Sequence, residues 1–171
     1  MNEKNYAPFY QRITRPFVGH PGRIATLKLL NGVLVLLMYL LYPYLLFRTY
    51  QWGHSVLTPV FLKLFFIPAL SFLVLSVFRH KINRPRPYEA HAIVPLLPRN
   101  KQGESMPSRH VFSAALISMC WLYVQPQVGV ACLFCGLLSG VTRVLAGVHY
   151  PSDVAAGFDI GVLCGLILWA V

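Results

Sequence analysis

Five apolar stretches, near residues 26–47, 56–78, 108–124, 128–147 and 153–171, constrain the fold of this chain more than any other feature. About 20 mostly apolar residues are needed for a helix to cross the roughly 30 Å of hydrocarbon in a bilayer. A soluble core built from 171 residues does not need runs of this length. The expected fold class is therefore all-α: a polytopic transmembrane helical bundle of about five spans.

The polar residues are unevenly divided. Fifteen Lys and Arg stand against five Asp and Glu, a formal net charge of +10. Such a balance can mark a nucleic-acid binder, but here the cations flank apolar runs and form no stripe on a soluble domain. Anionic membrane lipids and a phosphorylated substrate fit better, and no nucleic acid is expected. Residues 1–24 carry Arg12, Arg15 and Arg23 among Tyr6, Phe9, Tyr10 and Phe17, without the apolar centre of a cleavable signal peptide. They read as a basic amphipathic interfacial segment, with a disordered tail as the alternative. Residues 25–171 read as one transmembrane domain. Cys120, Cys132, Cys135 and Cys164 all fall in apolar runs, and the Cys132–Cys135 spacing reads as helix packing, not a redox or metal pair.

The chemistry gathers where apolar runs end. Arg143, His149 and Asp153 lie between the fourth run and the fifth. Arg143 is a permanent cation with a forked donor array. His149 is a candidate base or nucleophile, and Asp153 a candidate to orient it. Pro151 favours a turn into a new helix, with Ser152 as its cap and Asp153 in the first turn. A capping Asp, a loop His and an interfacial Arg are the plain alternative. Met106-Pro107-Ser108-Arg109-His110 opens the third run, where Ser108 is expected to cap a helix whose free amides favour an anion. Between the second and third runs, Asn83-Arg84-Pro85-Arg86-Pro87-Tyr88 cannot be regular helix and reads as an extended loop projecting guanidinium groups.

The loops after the second and fourth runs share one face of the membrane. Arg79, Arg86, Arg143, Ser108, His110, His149 and Asp153 can therefore form one shell, and a phosphoryl group is the ligand that fits it. His149, held by Asp153, would attack phosphorus while His110 protonates the departing oxygen. Water would then release phosphate with His110 as base. General acid–base assistance of this kind contributes about 10²–10⁴-fold. Three arginines would repel a divalent ion, so neither a metal nor another cofactor is expected.

Three ordered motifs carry a resemblance: Arg79-x6-Arg86-Pro87, then Pro107-Ser108-Arg109-His110, then Arg143-x5-His149-x3-Asp153. Together they resemble the signature of the type 2 phosphatidic acid phosphatase family, whose helical core is shared with vanadium haloperoxidases. The resemblance covers residues 79–153. It implies a metal-independent membrane phosphatase with His149 as nucleophile, His110 as general acid and Asp153 as the partner of His149. Arg79, Arg86 and Arg143 would bind phosphate with help from Ser108. Arg109 stands where many members carry Gly and adds a phosphate-binding cation suited to a diphosphate or to an extra head-group phosphate; a solvated interfacial Arg is the alternative. Arg79 stands in place of a frequent Lys, and Thr142 in place of a usual Ser. The family's usual six spans are five here, with residues 1–24 in place of the sixth.

An undecaprenyl diphosphate-type carrier lipid is the leading substrate, with phosphatidate and phosphatidylglycerophosphate next. A non-enzymatic binder of anionic lipids and a lipid phosphotransferase are the rival functions, and haloperoxidase chemistry ranks last. Excess Lys and Arg on the amino-terminal face predicts a cytoplasmic site. Many of those cations belong to the phosphate loop, however, and similar family members mostly work on the outer face of the bacterial cytoplasmic membrane; an outward site is the reading adopted. His80, Lys81, Arg84 and His91 read as interfacial, Glu89 and Glu104 as neutralising nearby arginines, and Lys63 as snorkelling or pairing with Asp159. Gly157-x3-Gly161-x3-Gly165 suits close helix contact inside the bundle or a homodimer face.

Overall fold

The computed structural model describes residues 6–171. In chain order the helices are α1 (Tyr6–Thr14), α2 (Pro21–Gly53), α3 (Pro59–Ile82), α4 (Pro87–Ala90), α5 (Arg109–Val124), α6 (Pro126–Leu145) and α7 (Pro151–Ala170), with a 3-10 turn at Arg15–Phe17 after α1. Five of these begin on proline, whose missing amide costs nothing in a first turn and whose fixed φ suits the helix. Asn83 ends α3 with a left-handed φ of 42°, and its amide bonds back to Arg79 O. Pro85 and Pro87 follow, so the chain turns away as the sequence predicts.

Helices α2, α3, α6 and α7 are long and apolar enough to cross a membrane. The fifth expected span, α5, has 16 residues and rises about 24 Å. It packs against all four of the others. Its Phe112, Ala115, Cys120 and Trp121 are fully buried. On α2 and α3, Leu36, Leu40, Phe66, Leu70 and Val74 point outward, as side chains facing lipid do. The glycine stripe of α7 serves the inside of the bundle. A Cβ on Gly157 would lie 2.6 Å from Ser108 O, and one on Gly161 2.7 Å from Phe112 O, so α5 lies against α7 at backbone distance.

Two prolines interrupt α2 and α3, Pro43 and Pro68. Pro68 has no amide to give the carbonyl of Leu64, four residues back. The Tyr42 hydroxyl donates to that carbonyl at 2.9 Å, satisfying it from the neighbouring helix.

Residues 1–5 of the basic segment lie outside the described residues. The part that follows does more than rest on head groups. Tyr6 and Tyr10 of α1 are buried, and the Tyr10 hydroxyl donates to Leu145 O at 3.0 Å and accepts from Leu96 N at 3.1 Å. Lys63 donates to the carbonyl of Val171, not to Asp159.

Candidate active site

The ends of α3 and α6 and the starts of α5 and α7 meet on one side of the bundle. Gly147 makes the turn after α6 with φ of 78°, and a Cβ there would lie 2.7 Å from the Tyr10 hydroxyl. No other residue fits that corner easily. Two residues on, His149 is 3% exposed, and then Pro151 opens α7. The cap of α7 is Tyr150, not the expected Ser152: Asp153 sits three residues into the helix and accepts the Tyr150 amide at 3.0 Å. Ser108 N donates to Asp153 O at 2.8 Å, tying the start of α5 to the first turn of α7.

Asp153 is fully buried and carries four neighbours on its carboxylate. Arg84 Nη1 donates to Oδ1 at 2.8 Å, Ser105 Oγ to Oδ2 at 2.5 Å and Tyr150 N to Oδ2. His149 Nδ1 lies 3.6 Å from Oδ2, a polar contact longer than a hydrogen bond. Nδ1 is thus the ring nitrogen beside Asp153, and His149 also lines the cavity. Burial pushes the His149 imidazole below its ordinary value, against the upward pull of Asp153. A neutral ring is what a nucleophile needs.

That cavity measures about 80 Å³ and is lined by Arg79, Arg86, Arg99, Lys101, Arg109, His110, Arg143, Val148 and His149. Arg79, Arg86 and Arg143 are each at least 95% buried. Backbone carbonyls hold two of them: Arg79 donates to Pro107 O and Glu104 O, and Arg86 to Gly103 O at 3.0 Å and Val148 O at 3.2 Å. Among the described residues, buried Arg143 Nε, Ser108 Oγ and His149 Nδ1 have no hydrogen-bond partner. Buried donors without partners are costly unless a ligand takes them. Ser108 stands at the cap position of α5 as expected, but its hydroxyl caps nothing.

All eight site residues expected from sequence gather here: six line the cavity, Asp153 lies against His149, and buried Ser108 lies at the start of α5. Three residues were missed. Arg84, read as interfacial, is the ion partner of Asp153 and also stacks 4.2 Å from the Tyr150 ring. Ser105 bonds the same carboxylate, and Arg99 lines the cavity. A signal for Arg84 was present: in an extended segment residues two apart point the same way, so Arg84 follows Arg86 inward. Glu104 pairs with Lys101 at 2.7 Å, not with an arginine, and that bond holds its carboxyl below the usual range. Glu89 accepts the Arg86 amide and the Gly103 amide. His91, read as interfacial, packs 5.1 Å from the Tyr6 ring.

Beside the cavity a groove of about 560 Å³ runs between α2, α3 and α5, lined by Met38, Tyr39, Pro43, Phe65, Pro68 and Phe72 among others. Arg109 and His110 line both spaces, so a polar chamber and an apolar channel meet at the first turn of α5.

The model of the PAP2 superfamily matches residues 60–171. Undecaprenyl-diphosphatase BcrC of Bacillus subtilis (strain 168) is 33% identical over 85 residues, half of this chain and 44% of that protein. Lipid A 1-phosphatase of Rhizobium johnstonii is 32% identical over 108 residues, 61% of this chain and 44% of that protein. The chain thus spans less than half the length of these curated relatives. Among solved structures, Aquifex aeolicus LpxE superposes with a TM-score of 0.70 at 22% identity, over 96% of this chain and 94% of the other. A transmembrane PAP2-type phosphatidylglycerolphosphate phosphatase from Bacillus subtilis gives 0.66 at 19%, over 95% and 84%. These two likenesses establish the fold.

Proposed function

Because the chain belongs to the PAP2 superfamily and is an integral membrane protein, we propose that it is a lipid phosphatase working through a phosphohistidine. One observation carries this reading: His149, set against buried Asp153, lines a chamber of cations that includes Arg143, whose buried Nε has no hydrogen-bond partner among the described residues. His149 Nε2 attacks phosphorus, and the proton left on Nδ1 is stabilised by Asp153, which Arg84 and Ser105 hold in place. As the phosphorus–oxygen bond breaks, its electron pair stays on the lipid oxygen, which takes a proton from His110. Water, losing a proton to His110, then breaks the phosphorus–nitrogen bond and frees phosphate. Arg79, Arg86 and Arg143 meet the charge on the phosphoryl oxygens throughout.

The lipid tail occupies the groove between α2, α3 and α5, which leads directly to His110. Residues 25–171 form the phosphatase domain in this reading, and residues 1–24 its interfacial segment. A diphosphate on an undecaprenyl-type carrier is the favoured substrate, in keeping with the relative that bears that name. Phosphatidate, phosphatidylglycerophosphate and lipid A 1-phosphate are the other substrates to test. The proposed location is the bacterial cytoplasmic membrane with the chamber at its outer face.

The test is phosphate release from these lipids by purified protein in detergent with a chelator, wild type beside His149→Ala. Release that survives the chelator and vanishes in the variant is expected. Release by His149→Ala at the wild-type rate, or loss on chelation alone, would sink the mechanism.

A further inference from the structure

The chamber holds more positive charge than one phosphoryl group needs. A phosphate monoester carries about −1.5 to −2, which Arg79, Arg86 and Arg143 already exceed. Lys101 is neutralised by Glu104 at 2.7 Å. Arg99 and Arg109 remain. Among the described residues neither makes a hydrogen bond or ion pair with the protein, and no carboxylate lines the chamber. Both line the chamber together with Arg79, Arg86 and Arg143.

Size decides where a second phosphate would lie. A water takes about 10–15 Å³ of free cavity. At about 80 Å³ the chamber therefore admits roughly five to eight such atoms. One phosphoryl group fills it. Anything attached to that group on the lipid side must stand in the passage to the groove, and Arg109 stands there. Its guanidinium lies 5.6 Å from the ring of Phe72, a groove residue, while its neighbour His110 lines both spaces.

We propose that Arg109, supported by the charge of Arg99, forms a second phosphate subsite that holds the phosphate remaining on the lipid when a diphosphate is cleaved. This rests on the phosphatase reading above. His149 takes the terminal phosphoryl group, the bridging oxygen leaves with the electron pair and the proton from His110, and the lipid monophosphate departs along the groove past Arg109. Arg109 is then a specificity-determining residue: it recognises the part of a diphosphate that a simple phosphate ester lacks.

The decisive comparison uses two substrates with one tail, farnesyl diphosphate and farnesyl phosphate. Wild type should favour the diphosphate in kcat/KM. Arg109→Gln should shrink that preference by roughly 10–100-fold, the loss expected for a hydrogen bond to a charged group. Arg99→Gln should move it in the same direction, and because Arg109 is exposed its variant should melt with wild type. An unchanged preference, or an equal loss on both substrates, overturns the subsite. If neither substrate is hydrolysed, the phosphatase reading fails, but the subsite still predicts that pyrophosphate binds at least about tenfold more tightly than phosphate in calorimetry. It also predicts that Arg109→Gln removes the difference; equal affinities in wild type overturn it.

Discussion

Arg84→Gln is the perturbation that tests how the proposed nucleophile is held. Arg84 Nη1 is 2.8 Å from Asp153 Oδ1, and the carboxylate is fully buried. At an effective dielectric constant of about 20, Coulomb attraction at this distance is roughly 6 kcal/mol before desolvation is subtracted. Removing one partner of a buried pair costs about 3–5 kcal/mol, because the other charge is left uncompensated. Ser105 and the Tyr150 amide still reach Asp153, so about 2–4 kcal/mol is expected here. A double-mutant cycle isolates the contact: Arg84→Gln, Asp153→Asn and the pair together, each unfolded by denaturant in the same detergent. If the pair is coupled as its geometry requires, Arg84→Gln should cost far less in the Asp153→Asn background, with a coupling above about 1 kcal/mol. Additive losses would refute the reasoning and return Arg84 to the interface. Catalysis gives a second readout: kcat should fall with little change in KM, since Arg84 is not among the residues lining the chamber.

Burial holds His149 below the ordinary value of 6.5 in the folded chain. Above that pH the ring is neutral whether the chain is folded or not and adds nothing; below it the unfolded chain takes up a proton that the folded chain refuses. Stability should therefore decline as pH falls below about 6.5, less so in His149→Gln, and the acid limb of kcat/KM should lie below about 6.5 as well. Gly157→Ala places a methyl group 2.6 Å from Ser108 O and should cost about 1–3 kcal/mol while displacing Ser108. Gly32→Ala, with open space around it, should be neutral or stabilising in the same melts. Tyr42→Phe leaves the Leu64 carbonyl bare and should cost about 1–3 kcal/mol, read by the same unfolding assay.

The spacing of Arg143, His149 and Asp153 was legible because those residues are close in sequence, and the apolar runs made the bundle legible because bilayer thickness fixes their length. What escaped depends on the fold bringing distant segments together. Arg84 and Asp153 are 69 positions apart, and the two-residue spacing that turns Arg84 inward with Arg86 names no partner for it. Ser105 looks like any loop serine until the start of α5 is hydrogen-bonded to α7. Ser152 was the better cap by composition, yet Asp153 reaches back to the Tyr150 amide and moves the helix start two residues earlier. The glycine stripe allowed two readings because its spacing specifies a close partner but not whose helix supplies it.

The phenol bridging Tyr42 and Leu64 sets how the two walls of the groove part. Pro68 has already removed the local rung of the α3 ladder, so separating α2 from α3 at that level breaks no bond within either helix. It gives up one hydrogen bond between them and leaves one carbonyl bare in an apolar setting. The two walls of the groove are therefore tied at that level by one side-chain hydrogen bond and not by either helix's own ladder, and its loss costs about 1–3 kcal/mol.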